Sequence, residues 1–174
     1  MKKMLIATVL ALAVITPVYA QTTHFDKFKN ETHISTEETV AGGVTLSGGR
    51  DASPLVRRVT IVTGFTCKGQ VDKCNPRVVE LLFIAYTADW SMNGHLTVNL
   101  LIDGVPDTAG KSDWDGHVSD ARNLIEYIDT NISPELLLKL SKAKAVSVQI
   151  GSFEFDLTGS NLVELRNLAN HLSK

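Results

Sequence analysis

The feature that most constrains the fold of this chain is the alternation of apolar and polar side chains in several separate stretches. From Leu55 to Thr66, valine, isoleucine, threonine and phenylalanine recur at every second position. A period of two is that of a β-strand with one buried face, and it returns in residues 96–102, 146–150 and 153–157. Turn-forming residues separate these stretches, as expected for hairpins. The sequence therefore predicts a chain built mainly from antiparallel strands.

Residues 78–87 differ, because they carry apolar side chains at both sets of alternating positions. Such a run is typical of a central strand that is covered on both faces. The polar loop before it contains Cys67 and Cys74, together with glycine and proline, which favour turns. We therefore expect a long hairpin with both cysteines at its end.

Two helices are predicted in the last third of the chain. Ser133, Pro134 and Glu135 suit an N-cap, a first helical position and an acidic first turn, and this helix should run to about Ala143. Leucines spaced three or four apart between residues 162 and 172 indicate a second, amphipathic helix that closes the domain.

Three segments between these elements are less regular. Residues 108–120 are polar and predict the longest loop of the domain. Residues 122–130 fit a helix face or a strand, and their β-branched and aromatic side chains favour a strand. Residues 88–94 are predicted as the tip of a hairpin.

Together these elements predict the fold class α+β. We expect a mostly antiparallel sheet of about six or seven strands, with the two helices of the C-terminal half packed on one face. The length fits a single domain, which we place at residues 21–174.

Residues 1–20 have the pattern of a signal peptide. Lys2 and Lys3 precede an apolar run, and Val18, Tyr19 and Ala20 fit the site that a signal peptidase reads. The apolar run is shorter than a membrane span, and no later segment approaches that length. No cysteine follows Ala20, which argues against a lipid anchor. We expect an exported protein, periplasmic or secreted, without a membrane span after cleavage.

The charge balance argues against a nucleic-acid partner. Two of the 17 Lys and Arg residues lie in the predicted leader and none of the 19 acids does, which leaves a formal charge of −4 on residues 21–174. Outside the leader the only adjacent basic pair is Arg57 and Arg58, whereas binding to phosphates needs a basic face. The glycine pairs lack the spacing of a phosphate-binding loop, so no nucleotide or other cofactor is expected.

Cys67 and Cys74 should form a local disulfide, because they lie on one short loop and an exported chain meets an oxidising compartment. Their spacing is not the C-x-x-C of a redox motif. A zinc site would need two further ligands, and no histidine lies nearby.

Aromatic residues in predicted loops are candidates for a ligand or partner surface. Trp90 and Met92 stand at the predicted hairpin tip, where a large apolar ring has no obvious core to enter. The alternative is that the tip folds back and buries Trp90. Trp114 could stack on a ligand or tuck onto the core as a lid, and the lid is favoured.

The acidic residues Asp113, Asp115 and Asp120 are the candidates for a calcium site, since calcium prefers several oxygens on a flexible turn. The match to an EF-hand loop is partial, because a third acid before Gly116 and a distant bidentate glutamate are missing. The pattern fits an ordinary solvated turn better, so no metal site is predicted.

The sequence lacks a catalytic signature. The histidines are scattered singly, and no G-x-S-x-G or H-E-x-x-H motif occurs. We therefore expect a non-enzymatic binding module for an unknown small molecule or an envelope or extracellular protein. Two alternatives remain open: a hydrolase-like enzyme whose site is assembled only by the fold, and a protein inhibitor that presents the loop from Cys67 to Cys74.

Overall fold

The computed structural model describes residues 21–47, 49–52, 55–94, 96–120 and 123–173, with only the backbone of Asp120. The predicted leader lies outside these residues. The described chain forms thirteen β-strands and two α-helices. They are β1 (Thr22–Asp26), β2 (Glu31–Ser35), β3 (Thr39–Val40), β4 (Thr45–Leu46), β5 (Arg50–Asp51), β6 (Val56–Lys68), β7 (Val79–Thr87), β8 (Thr97–Ile102), β9 (Val105–Lys111), β10 (Asp113–Asp120), β11 (Asn123–Ile132), α1 (Pro134–Lys142), β12 (Val146–Ile150), β13 (Phe153–Asp156) and α2 (Gly159–Ala169).

The strands build two antiparallel sheets. Sheet A has the order β1-β2-β6-β7-β11-β10, with β3 also paired to β6. Sheet B has the order β5-β4-β13-β12-β8-β9. The predicted hairpins β6–β7 and β12–β13 are confirmed. The strand predicted over residues 122–130 corresponds to β11.

The hydrophobic core lies between the inner faces of the two sheets. Phe83 of β7 meets Phe155 of β13 edge to face, with the ring centroids 5.7 Å apart. Leu165 of α2 lines a small internal cavity together with Ile61 of β6, which is paired with Phe83. Because α2 packs on this inner side of sheet A and α1 packs on α2, the outer face of sheet A points away from both helices and from sheet B.

The prediction of antiparallel strands with two helices is confirmed, but the prediction of one sheet of six or seven strands is wrong. Residues 88–94 do not form a hairpin tip, because the chain passes there from β7 in sheet A to β8 in sheet B. Alternation shows that a strand has a buried face but not which strand it pairs with, so the sequence pattern could not reveal the second sheet.

The prediction of a long loop over residues 108–120 is also wrong. These residues form most of β9 and all of β10, which pair with β8 and β11. Both strands lie at sheet edges, where polar side chains are common because one edge faces solvent. Backbone hydrogen bonds to β8 and β11 hold these two strands in place, and such pairing cannot be recognised from amino-acid composition.

The helix predictions agree closely with the structure. Ser133 caps α1 by accepting a hydrogen bond from the backbone N–H of Leu136 at 3.2 Å, and α1 ends at Lys142. The second helix begins after Thr158 and ends at Ala169, before Leu172, which pairs with Cys74 in an isolated bridge. In the described part of the chain, no helix has the length and apolar character that crossing a membrane requires.

Candidate functional site

The aromatic candidates converge on one buried carboxylate. Trp90 and Trp114 form an edge-to-face pair with ring centroids 5.6 Å apart. The Trp114 indole donates a hydrogen bond to Glu126 Oε1 at 3.1 Å, and the backbone N–H groups of Ser91 and Met92 donate to Glu126 at 3.0 and 2.8 Å. We call Glu126, Trp90, Met92 and Trp114 the tryptophan cluster.

Glu126 holds the segment in which the chain crosses between the sheets. It stands at an inward position of β11 and is fully buried. A buried carboxylate is tolerated when donors satisfy it, and here three N–H groups do so. The sequence analysis missed Glu126, although one signal existed: it shares the inward register with Ile128 and Ile132.

The tryptophan cluster is largely internal. Met92 is 1% exposed and Trp114 is partly buried, whereas Trp90 keeps 38% of its surface exposed. Gly116 makes room for the pair, since a Cβ there would lie 2.6 Å from the Trp90 ring. Of the predicted surface residues, only Trp90 therefore offers an appreciable area to a partner.

The acidic candidates lie on a strand rather than on a turn. Asp113 and Asp115 occupy the outer face of β10, and Asp113 is paired with Asp129 of β11. Residues two apart on a strand are separated by about 7 Å, too far for the compact ligand set of a calcium loop. Of Asp120 only the backbone is described. Among the described residues, no group of three or more His, Cys, Asp or Glu side chains could hold a metal ion.

An open groove with a volume of about 710 Å³ lies beside the disulfide. We call it the disulfide groove. Its floor is the outer face of sheet A, where Gly64, Glu80 and Asn131 stand side by side on β6, β7 and β11. Its remaining lining residues are Glu31, Phe65, Thr66, Cys67, Lys68, Cys74, Asn75, Pro76, Arg77 and Val78.

One wall of the groove is braced covalently and by hydrogen bonds. Cys67 and Cys74 form the predicted disulfide, with their Cα atoms 5.8 Å apart. The Cys74 N–H donates to the His171 oxygen at 3.0 Å, and the Ser173 N–H donates to the Cys74 oxygen at 2.7 Å. The loop is thus fastened to the C-terminal segment, so the groove wall is preformed.

The groove carries charges of both signs. Lys68 and Glu31 form an ion pair at 2.5 Å, and the hydrogen bond from Lys68 lowers the pKa of Glu31. Arg77 and Glu80 are exposed and have no ion-pair partner among the described residues. These two side chains are therefore available to charged groups of a ligand.

Thr66, which lines the groove, contacts His33 in a way that nucleophilic catalysis could use. Thr66 Oγ1 lies 3.0 Å from Nδ1 of His33, across the β2–β6 pair. In a hydrolytic site, the other ring nitrogen would be expected to contact a carboxylate. Within the described structure, no such hydrogen bond to His33 exists. The pair has the geometry of an ordinary cross-strand contact.

No protein-family model, curated protein or solved structure matches this chain.

Proposed function

We propose that this protein is an exported, non-enzymatic binding module that holds an extended polypeptide segment of an envelope or extracellular protein in the disulfide groove. The observation that carries the proposal is the groove itself. Its volume of about 710 Å³ falls within the range of about 300–1,000 Å³ that is usual for ligand sites.

The chemistry of the lining favours a peptide over a small apolar molecule. Arg77 and Glu80 present opposite charges, and Asn75 and Asn131 offer amide groups that both donate and accept hydrogen bonds. Exposed Val78 adds an apolar contact. An extended peptide carries this mixture of charges, amides and apolar side chains.

The preformed wall supports the same conclusion. A site that is rigid before binding loses little conformational entropy when the ligand arrives, which favours affinity. The disulfide and the hydrogen bonds of Cys74 to the C-terminal segment hold residues 74–78 against β6 and β7.

A groove-filling variant tests the proposal. Peptides selected on the wild-type protein from a random displayed library should bind wild type and lose at least about tenfold in affinity on Thr66→Trp, because the new ring occupies the groove. Thr66 is exposed, so the substitution leaves the core untouched. Thr97→Trp is the matched control, since Thr97 is an exposed strand threonine on sheet B.

Equal binding of the selected peptides to Thr66→Trp and wild type would place their site elsewhere and contradict the proposal. Failure to select any peptide would contradict it as well.

Export is part of the proposal, supported by the signal-peptide pattern of residues 1–20 and compatible with the disulfide. Cleavage after Ala20 predicts a mature chain that begins at Gln21. The intact mass of protein from the exported fraction checks this, and a species that retains the leader in the membrane fraction contradicts it.

The alternative of a hydrolase rests on the contact between Thr66 and His33. If this pair were catalytic, hydrolysis of activated esters by the protein would be lost in both Thr66→Val and His33→Gln. We expect no such activity in wild type, and activity that depends on both residues would replace the binding proposal.

A further inference from the structure

The turn between β1 and β2 presents an aromatic ring to solvent. Phe28 keeps 90% of its surface exposed, more than any other large apolar side chain in the described structure. It lies between Lys27 and Lys29, and the Lys27 ammonium is 5.1 Å from the centre of its ring. Single exposed apolar residues are common, but this ring is left almost wholly uncovered by the folded chain, so its burial against another surface would be favourable.

Hydrogen bonds fix the turn that carries Phe28. The Asp26 carboxylate accepts hydrogen bonds from the backbone N–H groups of Phe28 and Lys29 at 2.9 and 3.2 Å. Asn30 has a φ of 53°, in the left-handed region where asparagine is enriched. The Gly69 N–H donates to the Asn30 oxygen at 2.7 Å and ties the turn to the segment after β6. The ring therefore stands on a turn of defined backbone conformation.

The loop that follows β6 lies beside this turn. Thr32 Oγ1, on β2, donates a hydrogen bond to the Gly69 oxygen at 2.6 Å and accepts one from the Val71 N–H at 3.3 Å. The disulfide closes the same loop. Lys73, on this loop, therefore belongs to the same end of the molecule as the turn.

This end of the protein is basic, although the chain as a whole is acidic. Residues 26–31 and 68–74 contain four lysines and three acids, a formal charge of +1, whereas the rest of residues 21–174 carries −5. Of the three acids, Asp26 binds the backbone of the turn and Glu31 pairs with Lys68. The other three lysines are exposed and form no ion pair in the described structure. Together with the exposed ring they form the lysine tip: Lys27, Phe28, Lys29 and Lys73.

The composition of the lysine tip favours an anionic lipid surface over a protein partner. Lysine is depleted at protein–protein interfaces, where arginine is enriched. At a membrane surface, an apolar ring enters the boundary between headgroups and acyl chains, and neighbouring lysines extend their charged ends to the lipid phosphates. Phe28 stands between two lysines, as this arrangement requires.

We propose that the lysine tip docks the protein on a membrane that contains anionic phospholipids. Phe28 enters the headgroup region, and the three lysines contact lipid phosphates. The contact is peripheral and reversible, because one ring and three lysines supply only a marginal membrane affinity. The proposal does not rest on the disulfide groove, since no residue of the lysine tip lines it.

Sedimentation of the protein with phospholipid vesicles tests the proposal. Wild type should bind vesicles made of equal parts phosphatidylglycerol and phosphatidylcholine at least about fivefold more strongly than vesicles of phosphatidylcholine alone. Phe28→Ser should lower the partition coefficient on the mixed vesicles at least about fivefold, because no ring then enters the lipid. Val105→Ser is the matched control, since Val105 is an exposed apolar residue at the β8–β9 hairpin.

The charges are tested by the double variant K27Q/K29Q. It should also lower the partition coefficient on the mixed vesicles at least about fivefold, and added salt should weaken the binding of wild type because it screens the lysines. The matched control is K142Q/K144Q, which removes the same charge from two exposed lysines at and after the end of α1.

Wild type that binds the mixed and the neutral vesicles equally, or binds neither, overturns the proposal, whether or not a protein partner is found at the lysine tip. Binding of Phe28→Ser or K27Q/K29Q at the wild-type level also overturns it. So does an equal loss in K142Q/K144Q and K27Q/K29Q, which would show that net charge alone attracts the protein. All substituted residues are exposed, and circular dichroism checks that each variant keeps its fold.

Discussion

Two glutamates are buried among the residues that the structure describes, and they differ in their hydrogen-bond partners. Glu126 is fully buried and accepts hydrogen bonds from three N–H groups. Glu164 of α2 is 2% exposed, and its Oε2 has no hydrogen-bond partner in the described structure. The first carboxylate binds the backbone of the crossover at Ser91 and Met92, whereas Oε2 of the second accepts no hydrogen bond within the described residues.

The surroundings of Glu164 explain the difference. It lines a small internal cavity with Thr63, whose hydroxyl also lacks a partner among the described residues. Burial, with the nearby Glu37 carboxylate, raises the pKa of Glu164. The comparison teaches that a buried acid stabilises a fold only when donors are held in place for it.

The largest effect is expected from removal of the Glu126 carboxylate. Glu126→Ala leaves three N–H groups without their acceptor, and we expect a loss of about 3–5 kcal/mol in the free energy of unfolding. Chemical denaturation measures it. Glu80→Ala, on the exposed side of the neighbouring β7, is the control and should change stability by less than about 0.5 kcal/mol.

The comparison would be reversed if Glu126→Ala lowered the free energy of unfolding by less than Glu164→Ala does. It would mean that the crossover between the sheets holds without the carboxylate.

The next effect comes from crowding the tryptophan cluster without touching Glu126. Gly116→Ala places a Cβ 2.6 Å from the Trp90 ring and should cost about 1–3 kcal/mol, because the ring must shift. The melting temperature should fall and the tryptophan fluorescence should change. Gly43→Ala is the control, because a Cβ there meets nothing within 4 Å. Equal melting temperatures for both variants would show that the Trp90 ring moves freely.

Glu164→Gln should raise stability slightly at neutral pH, by about 0.5–2 kcal/mol. Because the native pKa of Glu164 is raised above its ordinary value of 4.5, its contribution to stability is fully present below pH 4.5 and is lost as pH rises through the native pKa. The variant does not titrate, so its advantage over wild type should grow with pH across that interval. Denaturation at a series of pH values measures this, and an advantage that shrinks with rising pH would show that the charged form is favoured in the native state.

The smallest expected effect is that of calcium. Asp113 and Asp115 lie on a strand, so excess calcium and a chelator should give the same melting temperature within error. A calcium-dependent rise that disappears in Asp113→Ala or Asp115→Ala would establish a metal site on the outer face of sheet A.

The sequence by itself determined the local elements of this protein. Alternation in β6, β8 and β12 predicted strands, and the cap at Ser133 located the start of α1, because both signals depend on near neighbours in the chain. The disulfide between Cys67 and Cys74 was predictable for the same reason. These features are present in the folded protein because its tertiary contacts favour the same local conformations as the sequence does.

Only the tertiary structure decided how the strands are divided between two sheets, and with that division it created the candidate sites. Glu126 in β11 reaches the backbone at Met92, which is 34 residues away in sequence, and the disulfide groove joins β2, β6, β7, β11 and the segment after Cys74. No period or motif encodes such contacts, because partners distant in the chain meet only when whole sheets pack. For the same reason the polar sequence of residues 108–120 predicted a loop, although its pairing with β8 and β11 makes it part of two strands, β9 and β10.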